Sequence, residues 1–470
     1  LGCRLNFCEN AELAARLRAD GDLLVFDPAE AHTVVLNTCA VTEEATRKTR
    51  QEVRRLHRLN PSARIVLIGC WAELSPQQAG QMPGVALVVG NQQKFDLPAL
   101  LKPLRGDYDE VDAARSVATD KNAQERPVDK PGAFQQRRSS AVVDVEAELT
   151  IGAPDDEEGF LGRTRALVRV QDGCDGGCAY CIVRKLRGPA RSRSPVEVLE
   201  EVKRLRAAGF MEVVLTGVHV SAYGRDFHAG PIRSLNDLIV LLLTETDLPR
   251  LRTGSLEPWD LGEDFFKLWP RFSGRFCPHL HLSLQAGTDK QLRAMGRPYS
   301  TADFSRIAQQ ARHAEPNLTL TTDLIAGFPG ESDADFRVGA EFIAALRFAH
   351  AHVFPYSPRP GTPAADFEGQ IADDIKRARA KILRSIVWET GKTERLRFLG
   401  TVRSVLWENP RRLPPASEDN RELREWSGFT DNGLRTFTHA PLEADLTNRI
   451  TSAQLAELRE RRFFSRVQRS

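Results

Sequence analysis

Short aliphatic runs alternate along the chain with segments of helical length. Leu23–Phe26, Val34–Leu36, Ile65–Ile68 and Val85–Val89 are such runs, and Glu43–Leu59 is one of the helical segments between them. Continuous apolar strands separated by helices predict a small α/β domain with a mostly parallel sheet over residues 1–104. From 105 to 160 the periodicity fades into Asp, Glu, Lys, Gln, Pro and Ala. Such a stretch has too few large apolar residues to build a core, so a linker or mobile insertion is expected.

Regular alternation resumes over 161–394. Six strand candidates follow one another with helical runs between them: Ala166–Val170, Glu212–Leu215, Leu251–Thr253, His281–Leu284, Leu318–Ile325 and His350–Phe354. Six β/α units in a row predict a partial parallel barrel, open because it stops short of eight, with its chemistry at the carboxyl ends of the strands. A helix over Asp373–Arg397 leads into strand-like Thr401–Trp407, Glu425–Phe429 and Leu434–His439, with Asp431-Asn432-Gly433 as turn residues. A small β-barrel over 395–460 is expected. No repeat of 20 to 50 residues is present, which argues against a solenoid.

Composition narrows the class. A chain of 470 residues exceeds what one hydrophobic core organises, in keeping with several domains. With 41% hydrophobic and 27% charged residues and no apolar run near twenty, it reads as soluble and cytoplasmic, with no membrane partner. The formal net charge is only +2, so a nucleic-acid surface has to come from local segregation of the 65 basic residues. Eight cysteines are too sparse for a disulfide scaffold, and in a reducing compartment such thiols serve metals or catalysis. The chain opens at Leu1, and Leu1-Gly2-Cys3 reads as the exit of a strand whose body is missing.

The sharpest chemical signal is Cys174-x-x-x-Cys178-x-x-Cys181, directly after the first barrel strand. Three thiolates on one tight loop can ligate three irons of a four-iron cluster, and Gly173, Gly176 and Gly177 let the backbone wrap closely. A structural zinc site closes its shell with four protein ligands, and no fourth Cys or nearby His completes this loop. With Tyr180 before the last Cys, the motif resembles the radical S-adenosylmethionine superfamily. That resemblance implies that the open iron binds S-adenosylmethionine, which an electron from the cluster cleaves to a 5′-deoxyadenosyl radical.

Cys3, Cys39 and Cys70 each follow an actual or inferred strand, so all three fall at the carboxyl edge of the first sheet, where α/β folds place ligands. Any one alone reads equally as a buried hydrophobe. Together with the loop they resemble the methylthiotransferase family, whose first domain carries a second four-iron cluster on three cysteines. Further stretches similar to that family are Leu215–Gly224, Gly254–Pro258, His279–Gly287, Met295–Tyr299, Thr322–Glu331 and His352–Thr362. The resemblance implies a radical-SAM barrel in the centre and a TRAM-like RNA-binding barrel at the end. It also implies two [4Fe-4S] clusters, S-adenosyl-L-methionine, a tRNA substrate, an electron donor such as flavodoxin or ferredoxin, and a sulfur source.

Glu257, Gln285 and Asp323 end successive strands, where polar groups at a barrel mouth can bind the ribose and amino-acid parts of the cofactor; each reads also as a cap or a satisfied polar pair. Cys277, before Pro278, reads as a packed thiol, and Cys8 stands where the family motif more often has a different side chain; neither is assigned to metal. RNA contacts are expected from Arg47, Lys48, Arg50, Arg54, Arg55 and Arg58 on the first-domain helix, and from Arg187, Arg191 and Arg193 beside the loop. Trp407, Trp426 and Phe429 either stack on bases or fill the terminal barrel. The opening Leu-Gly-Cys-Arg-Leu-Asn, with Val405–Glu408 and Gly428–Asn432, resembles most the branch that adds a 2-methylthio group to N6-threonylcarbamoyladenosine at position 37 of tRNA. The branch acting on N6-isopentenyladenosine is the alternative, and a non-catalytic iron–sulfur RNA-binding protein is the alternative of another class.

Overall fold

The structure, a computed structural model, describes residues 4–25, 27–104, 138–143, 164–412, 423–459 and 462–468. Cys3 and most of the expected 105–160 linker lie outside the described residues. The chain forms two compact units, Leu1–Glu148 and Leu149–Ser470.

In the first unit, helix α1 (Arg4–Ala19) precedes β1 (Asp22–Leu24), β2 (Thr33–Thr38), helix α2 (Glu43–Leu59), β3 (Arg64–Gly69) and β4 (Val85–Val89). The strands are the aliphatic runs of the sequence, and all pair parallel in the order β1-β5-β2-β3-β4. Strand β5 (Arg138–Val143) comes from within the stretch expected to be a linker, and it inserts between β1 and β2. Leu13 and Leu17 of α1 pack with Val35, Val66, Ile68 and Val89 in a dry core. Helix α2 starts where the Thr42 hydroxyl accepts from Ala45 N, with Glu43 and Glu44 favourably set against the helix dipole.

In the second unit, β6 (Arg165–Arg169), β9 (Glu212–Thr216) and β10 (Arg250–Thr253) form one parallel sheet. A second parallel sheet takes β11 (Ser255–Leu256), β12 (His279–Leu282), β13 (Thr319–Ala326) and β14 (His350–Pro355). Gly254 separates β10 from β11, so the two sheets share one bent strand and the six expected positions of a partial barrel are all filled. Helices α3 (Pro195–Ala207), α4 (Leu235–Glu245), α5 (Thr301–Ala314), α6 (Asp333–Leu346) and α7 (Asp373–Leu396) alternate with the strands or follow the last. Ser300 with Asp303, and Ser332 with Asp335, form reciprocal caps that start α5 and α6. A short hairpin, β7 (Gln171–Asp172) with β8 (Arg191–Ser192), frames the cysteine loop.

The chain ends in a closed barrel of β15 (Val402–Arg412), β16 (Leu423–Thr430), β17 (Arg435–Pro441), β18 (Ile450–Arg459) and β19 (Arg462–Val467), ordered β15-β16-β17-β19-β18. Trp407 and Trp426 are fully buried in it, which settles their two readings in favour of the core. Its turn at Asp431–Gly433 docks against the amino ends of the central strands. Arg252 donates to Asp431 O at 2.9 Å, Arg250 to Ser404 Oγ at 2.7 Å, and Asn432 Nδ2 to Asn317 O at 3.1 Å. Glu212 sits between the two arginines at 3.4 and 2.8 Å with no exposed surface. The terminal barrel is therefore fastened at the end of the partial barrel opposite the cysteine loop.

Candidate active site

Residues 173–182 leave the sheet at its carboxyl edge and fold back within a few ångströms. Gly173 has φ +70°, and a Cβ there would meet Pro189 O at 1.9 Å, so only glycine passes. A Cβ on Gly176 would lie 3.1 Å from Cys174 Sγ and 4.0 Å from Cys178 Sγ, so two of the three sulfurs flank one bare backbone position. Burial pushes the Cys181 thiol up to about 12, and the neighbouring Cys178 and Cys174 add to the shift. A thiol held so far from water resists ionisation unless positive charge joins it, which suits a ligand of an iron centre. Among the described residues no three His, Cys, Asp or Glu close on the position of a single metal ion. Thiolates on a four-iron cube each bind a different iron and need not converge on one point.

Donors surround these sulfurs. Gly176 N donates to Cys174 Sγ at 3.2 Å, and His219 Nδ1 stands 3.6 Å from the same atom. His219 is held by Asp260 Oδ2 at 2.6 Å from Nε2, while Ser221 and Arg225 also donate to that carboxylate. Burial lowers the His219 pKa, but the bonds to Asp260 and Cys174 outweigh it and raise it to about 9. Arg297 Nη1 lies 3.4 Å from Cys178 Sγ, its other nitrogen pairs with Glu257, and the guanidinium stacks 4.5 Å from the Trp259 ring. A cavity of about 420 Å³ opens over the loop, lined by Gly176, Cys178, His219, Arg225, Trp259 and Pro298 among others.

The expected cofactor residues share this end of the barrel to different degrees. Tyr180 sits edge-on to Phe328 within the loop, and burial holds its hydroxyl well above the usual tyrosine range. Glu257 meets the loop through Arg297. Gln285 takes φ +70° and bridges β13 by its backbone, accepting from Ile325 N and donating to Asp323 O, both at 2.9 Å. Asp323 lies one step deeper, with its carboxylate 3.2 Å from His281 Nε2. His219, Asp260 and Arg297 escaped the sequence reading of roles. The Met295–Tyr299 motif was visible, but only the fold puts Met295 O on Ala179 N and Gly296 against Gly177 O.

In the first unit, Thr38 pairs with Gly69 in the ladder, so Cys39 and Cys70 follow side by side at the ends of β2 and β3. Both are buried. Gly69, at φ +91°, leaves room for Asn37, whose Oδ1 lies 2.2 Å from where a Cβ would be. The two thiols with an amide donor beside them suit an iron–sulfur ligand set; Cys3, the third expected ligand, lies outside the described residues.

Family comparison gives two matches. Residues 1–90 match a family described as uncharacterized protein family UPF0004, and residues 168–343 match the radical SAM superfamily. The threonylcarbamoyladenosine tRNA methylthiotransferase MtaB of Thermotoga maritima is 33% identical over 87% of this chain and 85% of its own length. The protein of the same name from Bacillus subtilis is 31% identical over 93% and 88%. The chain belongs to the radical S-adenosylmethionine methylthiotransferase family. Another relative, the tRNA-2-methylthio-N(6)-dimethylallyladenosine synthase of Cereibacter sphaeroides, is 32% identical over 88% and 87%.

As a radical SAM methylthiotransferase the chain is an enzyme of iron–sulfur and S-adenosylmethionine chemistry. No described helix is long and apolar enough to cross a membrane. The basic residues divide by exposure. Arg54 and Arg58 are exposed on α2, and Arg47 is exposed but paired with Glu44 at 2.6 Å. Arg187 is buried against Asp172 at 3.0 Å, and Arg193 binds Glu201 at 2.6 Å and Arg169 O at 2.7 Å. Arg187 is thus buried where an RNA-facing surface was expected of it, whereas Arg193 keeps 19% of its side chain exposed while bonded to its neighbours. Arg191 remains half-exposed beside them.

Proposed function

We propose that this methylthiotransferase adds a 2-methylthio group to N6-threonylcarbamoyladenosine at position 37 of tRNA. The observation carrying the substrate is the similarity to two proteins named for threonylcarbamoyladenosine, each along more than four-fifths of both chains. In this reading Cys174, Cys178 and Cys181 hold one [4Fe-4S] cluster, and Cys3, Cys39 and Cys70 hold a second. When bound, the first cluster with S-adenosylmethionine supplies the radical able to open an adenine C–H bond that no side-chain acid or base can break.

The chain's own residues do the rest. Arg297 and His219 aim positive hydrogen-bond donors at Cys178 and Cys174, which offsets the charge of the sulfurs in a buried site. Tyr180, Glu257, Gln285 and Asp323 offer polar contacts to the cofactor, and Trp259 and Pro298 line the cavity above the loop. Arg47, Arg54 and Arg191 track phosphates, helped by the terminal barrel as a TRAM-like RNA module. The domains run 1–104, 161–394 and 395 onward, the terminal barrel continuing past the expected 460 through β19 to Val467, around a connecting stretch, 105–160, which returns one strand to the first sheet. An electron donor such as flavodoxin or ferredoxin and a sulfur source complete the cycle in the cytoplasm.

The similarity to a dimethylallyladenosine enzyme supports a second reading, the same chemistry on N6-isopentenyladenosine. Mass spectrometry of tRNA nucleosides from cells lacking the gene separates the two. Loss of the 2-methylthio form of N6-threonylcarbamoyladenosine is expected; its persistence with loss of the isopentenyl counterpart selects the second reading.

A further inference from the structure

Beneath Cys39 and Cys70 the first unit buries a salt bridge that packing alone does not require. Lys94, in the turn after β4, and Glu9 of α1 are both fully buried and bonded to each other. Asn37 Nδ2 donates to the second Glu9 oxygen at 3.2 Å, and Lys94 Nζ donates to Asn91 Oδ1 at 3.1 Å. The remaining face of that amide, Asn91 Nδ2, lies 3.6 Å from Cys70 Sγ. Asn91 is itself fixed from the backbone side, where its N–H donates to Glu73 Oε2 at 2.8 Å. Gly90 makes this possible, since a Cβ there would overlap the Glu73 carboxylate at 2.1 Å.

The chemistry of Lys94 decides which way the amide points. An ammonium only donates, so the Asn91 atom facing it has to be the oxygen, and the NH2 group then faces the sulfur. Two apolar residues in place of a fully buried Lys–Glu pair are often as stable or more so, so the pair is better explained by the orientation it imposes than by stability. A hydrogen bond to a cluster-ligating sulfur withdraws electron density from it and raises the reduction potential of the cluster.

We infer that Asn91 is a positioning residue whose amide, oriented by the Lys94–Glu9 pair, donates to the Cys70 sulfur and sets the reduction potential of the first-domain cluster. The inference rests on the reading that Cys70 is a cluster ligand. The test uses the full chain with Cys174, Cys178 and Cys181 changed to Ala, so that any reconstituted iron belongs to the first domain. Iron per chain is assayed, and the midpoint potential is measured by redox titration followed by electron paramagnetic resonance. Asn91→Leu removes the donor, and Asn91→Asp keeps the shape and the Lys94 contact while presenting an oxygen to the sulfur. Iron retained with the midpoint shifted negative, further for Asp than for Leu, is the expected result. If Leu disrupts folding, the Asp variant decides. Unchanged midpoints overturn the inference and leave the two-cluster reading intact. Iron lost from both variants with circular dichroism unchanged also overturns it, because Asn91 then serves assembly. A parent chain that binds no iron overturns the two-cluster reading and this inference with it.

Discussion

Arg297 shows how much of the site hangs on single side chains. It is almost fully buried, ion-paired to Glu257, close to Cys178 and donating to Ser283 O at 3.0 Å. Removing it strands a mostly buried carboxylate, and one-sided loss of such a pair costs about 3 kcal/mol. Arg297→Met is expected to lower stability by that order in urea unfolding, and Glu257→Gln added to it should recover part of the loss; no recovery would show that the pair is not what Arg297 stabilises. Gln285 makes a different prediction. At φ +70° a side chain with a Cβ is strained by about 1 kcal/mol, which glycine relieves. Gln285→Gly is therefore expected to raise the melting temperature while weakening S-adenosylmethionine binding measured by calorimetry, if the amide contacts the cofactor. The cysteine loop was legible because its chemistry is local in sequence. Arg297 and Asp260 were not, since 119 residues separate Arg297 from Cys178 and 41 separate Asp260 from His219; only the barrel closes those gaps.

At the scale of elements, aliphatic runs marked strands buried along their whole length, such as β9 and β10, and all six positions of the central barrel were anticipated although β14 exposes alternate residues. Strands β18 and β19 were missed, because their outward positions carry Gln454, Glu457, Arg462 and Arg466 and their segments look like polar tail. Strand β5 was hidden in the same manner, between polar stretches that mask a six-residue run. The joint between the barrels was also invisible, since Arg250 and Arg252 meet partners in the terminal barrel 154 to 179 residues away. Burial by itself pushes the Glu212 carboxyl up, but Arg252, Arg165 and Arg250 outweigh it and hold it near 2, against about 4.5 when unperturbed. The pair's contribution is thus whole above about pH 5. It is lost as the pH falls from 4.5 towards 2, where the unfolded chain takes up a proton that the folded chain refuses. Glu212→Gln is expected to cost about 3 kcal/mol at pH 7, in line with the loss of one partner of a buried pair. The difference in melting temperature from the unaltered protein should shrink steadily below pH 4.5. A gap independent of pH would mean that the glutamate acts by shape and not by charge.

Over the whole molecule, a net charge of +2 leaves little general attraction for RNA, so binding has to come from a few exposed cations placed where phosphates pass. The structure separates cations that can do this from those already engaged. Arg54 on the first unit is exposed, and Arg191 on the second keeps about half of its side chain exposed while one nitrogen donates to Arg187 O at 3.1 Å, whereas Arg187 is buried on Asp172. Each phosphate neutralised releases counterions, and removing one contact reduces the slope of log affinity against log salt by about 0.7 to 0.9. Arg54→Ala and Arg191→Ala should each flatten that slope for tRNA by this amount, and the double variant by the sum, as independent sites on separate units require. Arg187→Ala should leave the slope unchanged and instead lower thermal stability, because it leaves Asp172 beside the cysteine loop without its buried partner. A flattened slope from Arg187→Ala, with stability retained, would return that residue to the RNA surface and reverse the division drawn from its burial.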